Sequence, residues 1–291
     1  MFNGVKNQWL ILLFAAIMIV FTGCGGSQNA NGNAPAAATA SSESASEQSH
    51  QPEESQKPAE TVELTISSAA SMTDALADIQ KLYEAHHSGI KLNFNFGASG
   101  ALQQQIEQGA PADLFLSAAV KNMTALVDEG LVDSGQQTNL LKNELVVVAA
   151  ADSAALIQKV EDLSNAEVKT IAIGIPESVP AGNYTKEALT ALNLWDTLQS
   201  KSVQAKDVRQ VLQYVETGNA DAGFVYKTDA LSSDKVKIAF VVDPSTYKSI
   251  QYPIGIVKAT KHAKEAEDFY AYLQTQEALD VFVKYGFSVA E

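Results

Sequence analysis

Apolar and polar positions change their period several times along this chain, and each change predicts an element. Residues 9–21, WLILLFAAIMIVF, are apolar throughout behind a single Lys6. That run is too short for a comfortable membrane span and has the length of a signal peptide. Residues 25–60 are the reverse, dominated by Ser, Ala, Gln, Asn, Glu, Gly and Pro. Such a stretch buries too little surface to offset the entropy of ordering it, so a flexible tether is expected. From Val62 onward, strand and helix patterns alternate. VELTIS reads as a strand, 71–87 as a helix, IKLNFNF as a strand, 99–108 as a helix and ADLFLSA as a strand. A helix over 119–130 ends at Gly130, and NELVVVAA follows, apolar throughout in the manner of a parallel-sheet strand. A second series comprises TIAIGI, a helix from about 181, a helix from about 207, AGFVY and VKIAFVV. YPIGIV is a strand, and helices over 262–274 and 276–285 close the chain.

Strands alternating with helices predict an α/β protein built on mainly parallel sheets with helices on both faces. The patterned region is long enough for two lobes of roughly 100 residues each. Ligands of such sheets sit beyond the carboxyl ends of the strands, near helix N-termini.

A formal charge of −14 argues against a nucleic-acid partner. The only cysteine, Cys24, lies at the end of the apolar run in FTGCGG, which resembles a bacterial lipobox with Phe21 where leucine is usual. No disulfide can form within the chain, so export is read from the leading segment. A diacylglycerol anchor on Cys24 would supply the two acyl chains that stable membrane attachment needs.

Ser99, in FGASGAL, stands on a glycine-rich strand-to-helix turn, where a serine can be a nucleophile, an anion ligand or a helix cap. The nucleophile elbow G-x-S-x-G needs a glycine where Ala101 stands, and a triad needs a base. His50, His86, His87 and His262 all fall away from the strand-to-helix junctions. No HExxH, CxxC or spaced His/Cys cluster marks a metal site. Four junctions suit an anion instead. SSAASMTDAL places Ser71 three residues before Asp74, the S-x-x-D capping box. Around Ser99, the small residues Gly97, Ala98, Gly100 and Ala101 allow close approach to the backbone. VPAGNYTKEAL starts a helix at Pro180, Ala181 and Gly182, and AKDVRQVL starts one with Asp207 as N-cap and the Val208 N–H unpaired. In that last helix Val208, Val211, Leu212 and Val215 fall at i, i+3, i+4 and i+7, a core stripe. Arg209 is the only arginine, so any bound anion must be held mainly by hydroxyls and backbone amides.

AASMTDAL, NFGASGALQQQIEQGAPADLFLSA, AIGIPESVPAGNYTKEAL, VRQVLQYVETGNADAGFVYKTDA, YPIGIV and KYGF resemble, in the same order, the molybdate-binding proteins of bacterial ABC importers over about residues 62–287. That resemblance implies a type II periplasmic-binding-protein fold, two lobes hinged on two strands, closing on a tetrahedral oxyanion. Its division would be a lipoprotein signal peptide at 1–23, a lipid-anchored tether at 24–60, a first lobe at 61–142 with about 251–291, and a second at about 143–250. The hinge would lie near 142–150 and 251–258.

The implied ligand residues are Ser71 and Ser99 from the first lobe, through hydroxyl and N–H, and Ala181, Val208 and Tyr226 from the second. Ala181 and Val208 would act through backbone N–H and Tyr226 through its phenol. Two positions depart from the family pattern: Gly100 stands where some relatives carry serine, and Ile175 where aspartate is common. The resemblance implies a non-enzymatic, monomeric receptor that binds molybdate and tungstate with no cofactor, the molybdenum arriving as its oxyanion rather than as a free metal ion. It would be exported, lipid-anchored at the outer face of the cytoplasmic membrane, and partnered by an ABC permease. A receptor for sulfate or another tetrahedral oxyanion, and a serine hydrolase built on Ser99, remain as alternatives.

Overall fold

The computed structural model of the protein describes residues 61–290. The expectations for the signal segment, the tether and Cys24 lie outside the described residues. The first half of the chain runs β1 (Val62–Ala69), α1 (Thr73–His86), β2 (Ile90–Gly97), α2 (Ser99–Glu107), β3 (Leu114–Leu116), α3 (Val120–Asp128) and β4 (Val132–Asn143). It then crosses to β5 (Leu145–Ala150), β6 (Ile171–Gly174), α4 (Pro180–Ala191), α5 (Trp195–Gln199), β7 (Ser202–Ala205), α6 (Val208–Glu216), β8 (Ala222–Tyr226), α7 (Lys227–Leu231) and β9 (Val236–Val241). A return crossing leads to β10 (Ile250–Val257), α8 (Ala263–Tyr272), α9 (Gln276–Lys284) and β11 (Ser288–Val289).

Two sheets result, ordered β11-β4-β10-β3-β1-β2 and β7-β6-β8-β5-β9, and each is the centre of one lobe. Their pairings are mixed rather than mainly parallel. β1 runs parallel to β2 and β3, and β6 to β7 and β8, but β4, β5, β9, β10 and β11 pair antiparallel. The antiparallel members are the strands flanking the two crossings, β4 with β5 and β9 with β10, together with β11. NELVVVAA shows the consequence. β5 is apolar because both its faces are covered, with Leu145 to Ala149 buried, yet both of its neighbours are antiparallel. A continuous apolar run reports two buried faces and leaves strand direction open.

β4 is absent from the sequence pattern. Its middle, from Asp133 to Asn139, is polar and at least partly exposed, and only Val132, Leu140 and Leu141 are buried. It is a strand because β10 offers it a ladder from Asn143 to Val132. Pro253, inside β10, sits at an irregularity in that ladder, where its missing N–H costs nothing. In the second lobe the stripe of α6 is buried as its spacing requires: Val208, Val211, Leu212 and Val215 all lie against the sheet. α4 lies so close to β6 that a Cβ on Gly182 would be 2.1 Å from the carbonyl oxygen of Gly174. Pro180 fits the first position of that helix because no N–H is needed there.

Candidate functional site

The strand-to-helix junctions of both lobes face one another across a small cavity. Its walls include Ser71, Ser99, Ala181, Val208 and Tyr226, together with Gly97, Ala118 and Pro180. It leaves about 10 Å³ for the centre of a water-sized sphere, room for one small body. Three backbone-level features bring the five residues together. Ser71 lies in a single 3-10 turn, Ala70–Met72, that joins β1 to α1, and Ser99 is the first residue of α2. Ala181 and Val208 are the second and first residues of α4 and α6, so their N–H groups have no intrahelical carbonyl to bond. Tyr226 is the last residue of β8.

The hydroxyls are poised as donors. Ser99 Oγ is fully buried and accepts from Ala118 N–H at 2.9 Å, which leaves its proton for the cavity. The serine oxygen thus meets an amide N–H, and no imidazole among the described residues is bonded to it. Tyr226 is buried to 1% exposure and its Oη has no partner among the described residues. An unpartnered buried phenol is costly, so its position at the cavity wall calls for an acceptor there. Burial pushes the Tyr226 phenol well above its ordinary pKa, keeping it protonated at neutral pH.

Ser71 corrects an expectation. The S-x-x-D spacing predicts a capping box, but the residue before α1 is Met72 and no side chain caps that helix. Ser71 Oγ instead lies 2.8 Å from Tyr252 Oη, and Asp74 Oδ2 accepts from Arg209 Nη2 at 2.6 Å.

Gly100 is corrected in the same way. Its N–H is taken by Ser178 O at 3.0 Å, across the gap between lobes, and a Cβ there would lie 2.6 Å from that oxygen. The missing side chain admits the other lobe rather than a ligand.

Arg209 lies outside the cavity wall. Its Nε sits 2.8 Å from Asp229 Oδ1, a charge contact off the N–H axis, while Nη1 donates to Ser232 Oγ at 3.0 Å. Arg209 and Asp229 belong to the second lobe and Asp74 to the first, so the Arg209–Asp74 pair clasps the lobes. Lys121 Nζ, donating to Asn183 Oδ1 at 3.0 Å, makes another such contact. Asp229 has no exposed side-chain surface, and burial outweighs Arg209 to push its carboxyl up to about 6.

Sequence reasoning passed over Tyr252 and Asn143. Tyr252 is fully buried, pairs with Ser71, and receives Asn143 Nδ2–H at 3.2 Å. The available signal was a tyrosine in the buried strand YPIGIV, whose hydroxyl needs an internal partner.

Among the described residues the cavity therefore presents uncharged donors from both lobes and no cationic side chain. It can enclose a small acceptor-only solute.

The family described as bacterial extracellular solute-binding protein matches residues 64–288. A protein of Bacillus subtilis (strain 168), named as an ABC transporter substrate-binding lipoprotein, is 55% identical over 227 residues, 78% of this chain and 86% of the relative. Molybdate-binding protein ModA of Haemophilus influenzae is 40% identical over 233 residues, 79% of this chain and 91% of the relative. Among solved structures, the periplasmic molybdate-binding protein of Azotobacter vinelandii superposes with a TM-score of 0.72 at 25% identity, covering 78% of this chain and all of that one.

Proposed function

Given that this chain belongs to the bacterial extracellular solute-binding protein family, we propose that its interlobe cavity binds molybdate outside the cytoplasm and presents it to the permease of an ABC importer. The observation that carries this reading is the cavity itself: two serine hydroxyls, a phenol with no partner among the described residues and two helix-start N–H groups converge on one small space. Helix N-termini add partial positive charge to those donors. A dianion stripped of water must be fully hydrogen-bonded, and each bond to a charged group contributes about 1.5–3 kcal/mol. Tungstate has the same charge and shape and belongs to the same proposal. Sulfate has the same charge, so cavity size must separate it from both.

No cofactor enters this reading, and one chain supplies every donor, which suits a monomer. A lipid anchor at Cys24, in keeping with the lipoprotein name of the Bacillus relative, would hold the receptor beside its permease. Binding begins with the lobes apart, pivoting where the chain crosses between Asn143 and Leu145 and between Val241 and Ile250, and ends with the contacts described above.

Calorimetric titration with molybdate, tungstate and sulfate tests the proposal. Molybdate is expected to bind at least tenfold more tightly than sulfate, and Ser99→Ala to weaken molybdate by about 10–100-fold. Equal affinities for molybdate and sulfate would sink the molybdate assignment.

Gly100→Ser supplies a second prediction, because its cost falls on the closed form alone. Overpacking of about 1–3 kcal/mol between Gly100 and Ser178 weakens binding roughly 5- to 100-fold. Each lobe keeps its own fold, so the ligand-free unfolding midpoint stays near that of the wild type. A large fall in that midpoint would place Gly100 inside one lobe's core instead.

A further inference from the structure

Of the site's hydroxyls, only that of Ser71 is paired with another hydroxyl. Ser71 Oγ and Tyr252 Oη are 2.8 Å apart, and either could donate. The choice matters for binding. If Ser71 donates to Tyr252, its single proton is spent inside the protein and the cavity faces only lone pairs. If Tyr252 donates to Ser71, the serine proton is free for a ligand.

Asn143 tilts the choice. Its Oδ1 accepts from the backbone N–H of Glu144 at 2.9 Å, which fixes which way round the amide lies. The NH2 group then faces Thr228 Oγ1 at 3.0 Å and Tyr252 Oη at 3.2 Å. An amide NH2 can only donate, so Asn143 takes one acceptor site of the Tyr252 oxygen, and the arrangement that gives the Tyr252 proton a partner at 2.8 Å sends it to Ser71. Burial reinforces the arrangement by keeping the Tyr252 phenol protonated, well above its ordinary pKa. Ser99 reaches the same condition by another route, with the N–H of Ala118 occupying a lone pair.

We infer that Asn143 and Tyr252 are positioning residues that direct a one-way hydrogen-bond relay, Asn143 to Tyr252 to Ser71, and so keep the Ser71 proton available to an oxyanion. Neither side chain lines the cavity. Both act through Ser71, and both belong to the strands that lead between the lobes, Asn143 at the end of β4 and Tyr252 in β10. The relay rests on the oxyanion reading above and adds to it the cause of the donor polarity.

Asn143→Asp reverses the relay with almost no change of shape. Its carboxylate accepts from Tyr252, Tyr252 then accepts from Ser71, and the serine proton turns away from the ligand. The test is a double-mutant cycle read by molybdate titration. Ser71→Ala alone is expected to weaken molybdate binding about 10–100-fold. In the Asn143→Asp background the same substitution is expected to cost less than about twofold, because the hydroxyl it removes no longer donates. Adding Tyr252→Phe cuts the reversed relay, frees the Ser71 proton and restores most of the cost of Ser71→Ala. A carboxylate that only repels the anion, or only disturbs packing, leaves the cost of Ser71→Ala the same in both backgrounds, and that result overturns the relay. If the wild type binds no tetrahedral oxyanion at all, the receptor reading itself fails.

Discussion

Gly182→Ala is expected to destabilise the protein by about 3 kcal/mol or more and to remove oxyanion binding. A Cβ at this position would lie 2.1 Å from the carbonyl oxygen of Gly174 and 2.5 Å from its carbonyl carbon. Both obstacles are backbone in β6, so no side-chain rotation relieves them. The conflict is also mutual, since a Cβ on Gly174 would lie 2.5 Å from Val179 Cγ1. α4 must therefore lift from the sheet, and its first turn carries the Ala181 N–H that faces the cavity. Urea unfolding and molybdate titration of the variant check the two halves of the expectation. A variant with the wild-type midpoint and affinity would mean that α4 and β6 are not in such close contact.

Arg209→Met is the second large effect, and it carries a pH signature. Arg209 is the counter-charge of Asp229, whose side chain has no exposed surface, and removing one partner of such a pair costs about 3–5 kcal/mol. The bond to Asp74 adds little to that figure, because the aspartate side chain is 41% exposed and water screens it. Asp229 also accepts from the Tyr226 backbone N–H at 3.2 Å, so its displacement reaches the cavity wall.

Burial raises the Asp229 carboxyl from 3.8 to about 6, with Arg209 opposing. The folded protein thus holds this proton more tightly than the unfolded chain does. The stability that Asp229 contributes is fully present below about pH 4 and is lost as pH rises through about 6. With methionine at 209 the Tyr226 backbone N–H is left to oppose burial without the guanidinium, the carboxyl rises further, and the loss on the alkaline side deepens. The stability gap between wild type and Arg209→Met is expected to be small at about pH 5 and to widen toward about pH 8. Adding Asp229→Asn should recover most of it. Unfolding curves at the two pH values read the effect, and a gap that does not change with pH would remove Asp229 from the explanation.

How much of this was legible in the chain depends on the range of the interaction involved. AGFVY is β8 residue for residue, and the valines of α6 are buried as their i, i+3, i+4, i+7 spacing requires. Both features are local, set by neighbours within a few residues. The candidate positions Ser99, Ala181 and Val208 were marked by small residues, a proline or an N-cap at strand-to-helix junctions, again local signals. β4 was not legible, because its polar middle becomes a strand only against β10. The S-x-x-D motif misled because Asp74 answers to Arg209, 135 residues away, and Ser71 to Tyr252, 181 residues away.

By itself, then, the sequence determined the alternating elements, the faces they bury, the exclusion of an arginine-lined anion site and the residues that stand at helix starts. These follow from side-chain volume, backbone freedom and hydrophobic period, which act between near neighbours. Only the tertiary structure decided that five such residues share one cavity and that Gly100 serves the contact between lobes. It alone also assigned Arg209 to clasping carboxylates and Asn143 and Tyr252 to aiming the Ser71 proton. Hydrogen bonds and ion pairs need partners within about 3 Å at the right angle, and for these residues chain closure, rather than local spacing, brings the partners there.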